Sequence, residues 1–377
     1  MSQKKLYGSV SISSGEVVFG RETLNYQRVL DDFPRAKTVR ILTYNISKNQ
    51  YRNELIDALK SIQPSADVKI ISNIPSHMPS YYDTAAGEAM RKAYRRNYSA
   101  YLERLNPENF QSNPDVAFNF SNHAKIIGTE NVLYIGSANY SDESKDNIES
   151  GTIITDKRAI EQIYDEFFPA ILDESTPYFD DEFNVFRLFV MSMKTKFDIW
   201  LDWFDEHLVW RAPDSGIRGI RDPFELDADA LLELHSCIDE LNHFVVHLEN
   251  TYSETDEKYN DLIERILEAY KTISISWMED FTITDSSLYE FVTFDEEDRF
   301  DEILQDNPDA YDENLDRCVK RAMSDAHEEY CEMRFNIEED VLFLRDQIEK
   351  VIQFLDRAHS RTLEYANKWI AQKVDNT

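Results

Sequence analysis

The sequence predicts an α/β sandwich with a mixed central sheet over residues 1–178, followed over residues 179–377 by an all-α domain of long, heptad-patterned helices. Three observations predict this. Strand-like and helix-like patterns alternate through the first part. Apolar residues recur at spacings of three and four through much of the second. Charge divides at the same place: residues 1–178 carry 20 basic against 23 acidic side chains, and residues 179–377 carry 20 against 49.

In chain order, Thr38–Tyr44 reads as a strand, residues 50–62 as an amphipathic helix, Asp67–Ser72 as a strand and residues 83–105 as a second helix. An apolar hairpin follows, over 124–128 and 132–135, with Thr129-Glu130-Asn131 as its turn. Gly151–Thr155 reads as a further strand and residues 157–172 as a helix. The stretch 172–182 changes composition and contains Pro177, which places the domain boundary there. Beyond it, Phe186–Trp210 reads as an aromatic-rich helix. One heptad seam runs through Leu231, Leu234, Ile238, Leu241, Val245, Leu248 and Tyr252, and continues through Tyr259, Leu262, Ile266 and Ile273. A second passes Ile337, Val341, Leu344, Ile348, Val351, Leu355, Tyr365 and Trp369. Such seams suit a helical bundle, an antiparallel hairpin or a coiled-coil dimer, and the bundle is the expectation.

The formal net charge is −32, and no run of about eighteen apolar residues suggests a membrane span. The opening Met-Ser-Gln-Lys-Lys-Leu-Tyr lacks the apolar core of a signal peptide. The three cysteines, Cys237, Cys318 and Cys331, are unclustered and suit a reducing compartment without a disulfide framework or zinc site. A cytoplasmic location is expected. With nine glycines and no Gly-rich phosphate loop, the chain does not read as an NTPase.

The chemistry concentrates in His123-Ala124-Lys125, followed after the apolar hairpin by Gly136-Ser137-Ala138-Asn139. Alternation puts His123 and Lys125 on one face of the first strand, and the hairpin return brings Ser137 and Asn139 beside them. An imidazole, an ammonium, a hydroxyl and a carboxamide can hold a phosphate and attack it without a metal. Neutral imidazole, with a free pKa of about 6.5, is a competent nucleophile. Lys125 brings positive charge, while Ser137 and Asn139 bring neutral donors.

This pattern resembles the signature of the phospholipase D superfamily, in which a His, a Lys and a Gly-Ser-x-Asn recur at nearly this spacing. Asn147-Ile148-Glu149 falls where that family often carries Asn-x-Glu, which marks Asn147 as a supporting residue and Glu149 as the carboxylate that orients the imidazole. The family's Asp five residues after the Lys is Glu130 here; counting back from Gly136 gives Thr129 instead. The resemblance implies the family's α/β fold, a phosphohistidine on His123 and no cofactor. It also implies a second imidazole to protonate the leaving oxygen. None of His77, His207, His235, His243, His247, His327 or His359 is followed two residues later by Lys. The expected completion is a homodimer or higher homo-oligomer with His123 of each subunit facing the other, as in small single-motif nucleases of the family.

Other features are weaker. Arg91, Lys92, Arg95, Arg96 and Arg104, interleaved with Tyr94, Tyr98 and Tyr101, form a basic helix that could follow a nucleic-acid backbone. His243 and His247 have helical metal-pair spacing, yet lie off the apolar seam and read as a solvated face. The acidic run from Asp306 to Glu313 lacks the glycine and spacing of a calcium loop.

The expected function is therefore a metal-independent phosphodiesterase, a homodimeric nuclease acting on DNA or RNA. The acidic helical half suits a partner or oligomerisation role. By analogy the whole suits bacterial anti-phage defence or DNA processing beside a partner such as a motor ATPase. A phospholipase D-type lipid phosphodiesterase is the alternative, although no basic membrane-surface helix is seen and no membrane contact is expected. A non-catalytic phosphate-binding scaffold is the third reading.

Overall fold

The computed structural model describes residues 8–46, 54–74, 94–181, 183–212, 218–252, 257–306 and 315–375. The chain divides into two compact units: Met1–Ser192 with Thr362–Thr377, and Met193–Arg361.

The first unit is built on an 8-stranded mixed sheet of order β1-β7-β6-β5-β2-β3-β4-β8. Its strands are β1 (Gly15–Gly20), β2 (Thr38–Thr43), β3 (Asp67–Ser72), β4 (Asp115–Phe118), β5 (Ile126–Thr129), β6 (Leu133–Gly136), β7 (Glu149–Ile154) and β8 (Thr176–Pro177). β2, β3 and β4 run parallel, and β5 turns the sheet antiparallel on the far side of β2. The parallel strands carry apolar residues on both faces because both are covered: Val39, Ile41, Leu42, Ile70 and Ile71 are all buried. One face packs against the segment after β7, in a core of Leu42, Ile71, Ile126, Leu133, Ile154, Ile160, Ile163, Tyr164 and Phe168.

The helices of this unit are α1 (Gln27–Leu30), α2 (Glu54–Lys60), α3 (Tyr94–Arg104), α4 (Lys157–Gln162) and α5 (Phe168–Asp173). α4 and α5 do not form the single helix expected over 157–172, because a π-helical turn, Ile163–Phe167, separates them. The extra residue per turn rotates the face that follows, and Pro169 at the start of α5 needs no backbone donor there. Residues 50–53 and 83–93 of the two other expected helices lie outside the described residues. β1, β4 and β8 are additional to the strands predicted. β1 is an edge strand with Val17 and Phe19 exposed, and β8 has two residues, so neither shows a buried alternating pattern.

α6 (Asn184–Trp203) takes up most of the expected aromatic helix. The rest leaves it through a π-helical turn, Phe204–Leu208, into β9 (Val209–Arg211), which pairs with β10 (Arg218–Ile220). The remaining helices are α7 (Ala228–Tyr252), α8 (Glu257–Tyr270), α9 (Ile275–Thr282), α10 (Ser287–Val292), α11 (Glu296–Gln305) and the 61-residue α12 (Leu315–Asp375). Within the second unit both seams are interior. Leu231, Leu234, Ile238, Leu241 and Val245 are buried on α7, and Ile337, Val341, Leu344, Ile348, Val351 and Leu355 are buried on α12. Leu248, Tyr252, Tyr259 and Trp369 fall where side chains are not described. No helix of the described residues is long and apolar enough to cross a membrane.

Thr129, at the end of β5, ties the hairpin to the helical layer. Its hydroxyl donates to buried Asp32 at 2.6 Å and accepts from the Asn131 and Val132 amides. Asp32 also accepts from Asn131, at 3.0 Å, and from Arg35. Burial raises the Asp32 pKa, and these hydrogen bonds more than offset it, so the carboxyl titrates below an ordinary aspartate. A depressed carboxyl pKa stabilises the fold above the unfolded value, and that contribution disappears as pH falls through the folded one. Thr129→Val is expected to destabilise the protein by roughly 1–3 kcal/mol at pH 7 and by less in acid. Urea midpoints at the two pH values check both the size and the trend.

Candidate active site

The hairpin β5–β6 and its neighbour β7 set the site. Ile126 pairs with Ile135 and Gly136 with Gly151. The Gly136 amide donates to the Lys125 carbonyl at 3.3 Å, extending the ladder one residue beyond β5. Lys125, Gly136 and Gly151 therefore lie in one row, at the end of the sheet where His123, Ser137–Asn139 and Glu149 follow.

Two glycines in that row have a cause. Tyr134 is fully buried and lies along its own strand, so a Cβ at Gly136 or Gly151 would collide with its ring or hydroxyl. In the space they leave, the Tyr134 hydroxyl donates to the Ser150 carbonyl and accepts from the Ala138 amide, both at 3.1 Å. This fixes the turn that carries Ser137 and Asn139. The Tyr140 amide donates to Thr43 Oγ1 at 2.9 Å, and Ile46 and Tyr140 form a parallel bridge, anchoring the turn to the end of β2.

His123 is exposed, and Lys125 is buried beside it. The Lys125 ammonium donates to the His123 carbonyl at 2.6 Å and lies 3.3 Å from Nδ1 of its ring. Burial lowers the Lys125 pKa, while the nearby charge of Glu149 opposes that shift. Glu149, itself buried, accepts from the Ser137 hydroxyl rather than from His123. Asn139 is held through its carbonyl, which accepts from Tyr26 at 2.9 Å and Ser144 at 3.1 Å. Its Oδ1 is buried with no hydrogen-bond partner.

This arrangement has a chemical consequence. A charged ammonium can only donate, so its contact with Nδ1 leaves the ring's own proton on Nε2.

The other expected residues are elsewhere. Glu130 is at the opposite end of β5, where its carboxylate accepts from the Lys37 and Thr38 amides at 3.0 to 3.2 Å and caps β2. Thr129 is in the core beside it, so both occupants of the Asp position serve the hairpin turn. Asn147 is exposed and donates to the Glu143 carbonyl at 3.4 Å. Arg91 and Lys92 lie outside the described residues; Arg95 and Arg96 are on α3, with side chains not described. Tyr98 and Tyr101 of that helix are buried, so their rings face the interior rather than a bound base. His243 is exposed and bonded to Asp239 of its own helix, and the described residues hold no metal-binding group of three.

Three contributors went unnoticed in the sequence. Tyr44 meets the His123 ring edge-on, with centroids 4.8 Å apart. Asn122 clamps the chain before His123: its carboxamide donates to the Thr43 carbonyl and accepts from the Ala124 amide, both at 2.9 Å. Asn73, after β3, donates to the Asn122 carbonyl at 3.1 Å. The available signal was positional, since Tyr44 and Asn73 follow directly on β2 and β3 and loops at strand ends carry function.

Residues 34–170 match the family model described as "Cardiolipin synthase, PLD-like domain". Among solved structures, Nuc from Salmonella typhimurium, a phospholipase D family member, is 18% identical over 44% of this chain and 97% of its own, with a TM-score of 0.29. NucT from Helicobacter pylori is 15% identical over 44% of this chain and 100% of its own, with a TM-score of 0.29. Phosphatidylserine synthase from Haemophilus influenzae is 16% identical over 44% of this chain and 40% of its own, with a TM-score of 0.34. No curated protein sequence matches the chain.

The opposing influences on Lys125 give a direct test. A carbon-13 NMR titration of its ε-carbon is expected to show a pKa below that of an ordinary lysine. Removing the negative charge with Glu149→Gln moves it further down; an unmoved or rising midpoint would contradict the placement of Glu149.

Proposed function

We propose that this chain, whose residues 34–170 belong to the phospholipase D superfamily, is a phosphodiesterase that works through a phosphohistidine on His123 and cleaves nucleic acid as a homodimer. The observation that carries the reading is the buried Lys125 ammonium 3.3 Å from the His123 ring, with Ser137 and Asn139 on the adjoining turn. Nε2 attacks phosphorus and forms a P–N bond as the P–O bond to the leaving group breaks. The departing oxygen takes a proton from the partner subunit's His123, an acid step that contributes roughly 10²–10⁴-fold. Water then gives its proton back to that second imidazole and displaces phosphate from His123. The dimer follows from the chemistry: eight histidines supply one His-x-Lys, and the reaction uses two imidazoles.

Nucleic acid is favoured as substrate by the basic cluster Arg91, Lys92, Arg95 and Arg96 in an otherwise acidic protein. The acidic second unit discourages indiscriminate binding of polyanions and offers a docking surface to a basic partner, such as a motor ATPase in a defence or DNA-processing complex. The second reading, transfer or cleavage at a phospholipid head group, draws on the description of the matching family model and the same four side chains.

The test uses the intact protein with chelator present. Labelled DNA or RNA is expected to be cleaved, and His123→Ala to lower the rate by about 10⁴-fold or more. Sedimentation is expected to show a dimer. Head-group release from phosphatidylglycerol vesicles in place of nucleic-acid cleavage would establish the second reading. Absence of both reactions, with no phosphohistidine trapped on His123, would leave a phosphate-binding scaffold.

A further inference from the structure

We propose that Tyr44 is a positioning residue for this chemistry, its ring bracing the His123 imidazole edge-on and carrying the Lys125 ammonium on its π face. The proposal rests on the reading of His123 and Lys125 as the reacting pair. Leu42 of β2 pairs with Ile126 of β5, so Tyr44, two residues on, lies opposite Ala124, between His123 and Lys125. There its ring meets that of His123 with centroids 4.8 Å apart and planes at 61°, and the Lys125 nitrogen is 5.3 Å from the ring centroid. Both distances fall within the range of aromatic edge-to-face and cation–π attraction.

The arrangement answers a specific need. His123 is exposed, and an exposed imidazole on a loop turns freely unless something packs against it. Lys125 must release Nδ1 to engage a phosphate, yet remain at the site. A π face attracts the ammonium through its charge rather than through a hydrogen-bond acceptor, so beyond the N–H given to the His123 carbonyl it leaves the others able to turn from Nδ1 to an oxyanion. The phenol hydroxyl has no part in either contact. Of the described groups, the titratable neighbours are His123, Lys125, Glu149 beyond Lys125, and Tyr101 on α3.

The test compares Tyr44→Phe with Tyr44→Leu in the full chain, using bis(p-nitrophenyl) phosphate as a diester probe and NMR of the His123 ring protons. Tyr44→Phe is expected to stay within about threefold of wild type, whereas Tyr44→Leu loses roughly 10- to 100-fold in kcat with little change in KM. The His123 ring protons are expected to keep their ring-current displacement in Tyr44→Phe and lose it in Tyr44→Leu. Should Tyr44→Leu fail to fold, Tyr44→Met replaces it. Wild-type kcat in the aliphatic variant, an equal loss in both variants, or unchanged His123 resonances would each overturn the proposal. If wild type does not hydrolyse the probe, the catalytic reading fails separately, and the resonances alone decide whether Tyr44 braces the ring.

Discussion

The site depends on Tyr134 lying along its own strand. Its buried hydroxyl bridges the Ser150 carbonyl and the Ala138 amide, which joins β7 to the turn after β6. The ring occupies space that side chains at positions 136 and 151 would otherwise fill. Both positions are therefore glycine, and the motif's Gly136 has a steric cause. A turn held this way presents Ser137 and Asn139 at the row where Lys125 ends β5. The hydrogen bonds from the Tyr140 amide to Thr43 and from Asn122 to the Thr43 carbonyl then join that row to the parallel half of the sheet.

Electrostatics give the site its resting state. Lys125 is partly stripped of water and held near the Glu149 charge, while its contacts are the carbonyl and ring of His123 and the face of Tyr44. These neutral partners satisfy an ammonium only in part, in keeping with its lowered pKa. Glu149 is committed to Ser137, and Asn139 retains an unpaired oxygen. Among the described residues, the site thus brings together a partly desolvated ammonium, a buried carboxylate and an exposed imidazole. Most of the chain's negative charge belongs to the other unit, whose seams are buried and whose surface is acidic.

Legibility in the sequence followed burial pattern. β2 and β3 were readable because their β-branched and aliphatic residues fall on both faces, as at Ile41-Leu42 and Ile70-Ile71, and the seams of α7 and α12 because a buried stripe repeats at three and four. β1 escaped notice because its apolar residues point outward, and β8 because two residues carry no period. The helix after β7 was readable as a helix but not as a broken one: a π-helical turn shifts which residues face inward without a composition change that marks it.

For the site, the sequence by itself determined which functional groups are available and that His123, Lys125, Ser137 and Asn139 occur at hairpin spacing. Local geometry suffices for that, since strand alternation and a tight turn set which residues are neighbours. Tertiary structure alone decided the rest. It sent Glu130 and Thr129 to the far end of β5 as hairpin supports and committed Glu149 to Ser137. It also brought Tyr44 to His123, and Asn73 and Thr43 to the neighbouring Asn122, from the ends of other strands. Those contacts join residues far apart along the chain, 97 positions between Asp32 and Thr129 and 79 between Thr43 and Asn122. No local pattern encodes them, because they depend on which strands become neighbours when the sheet closes.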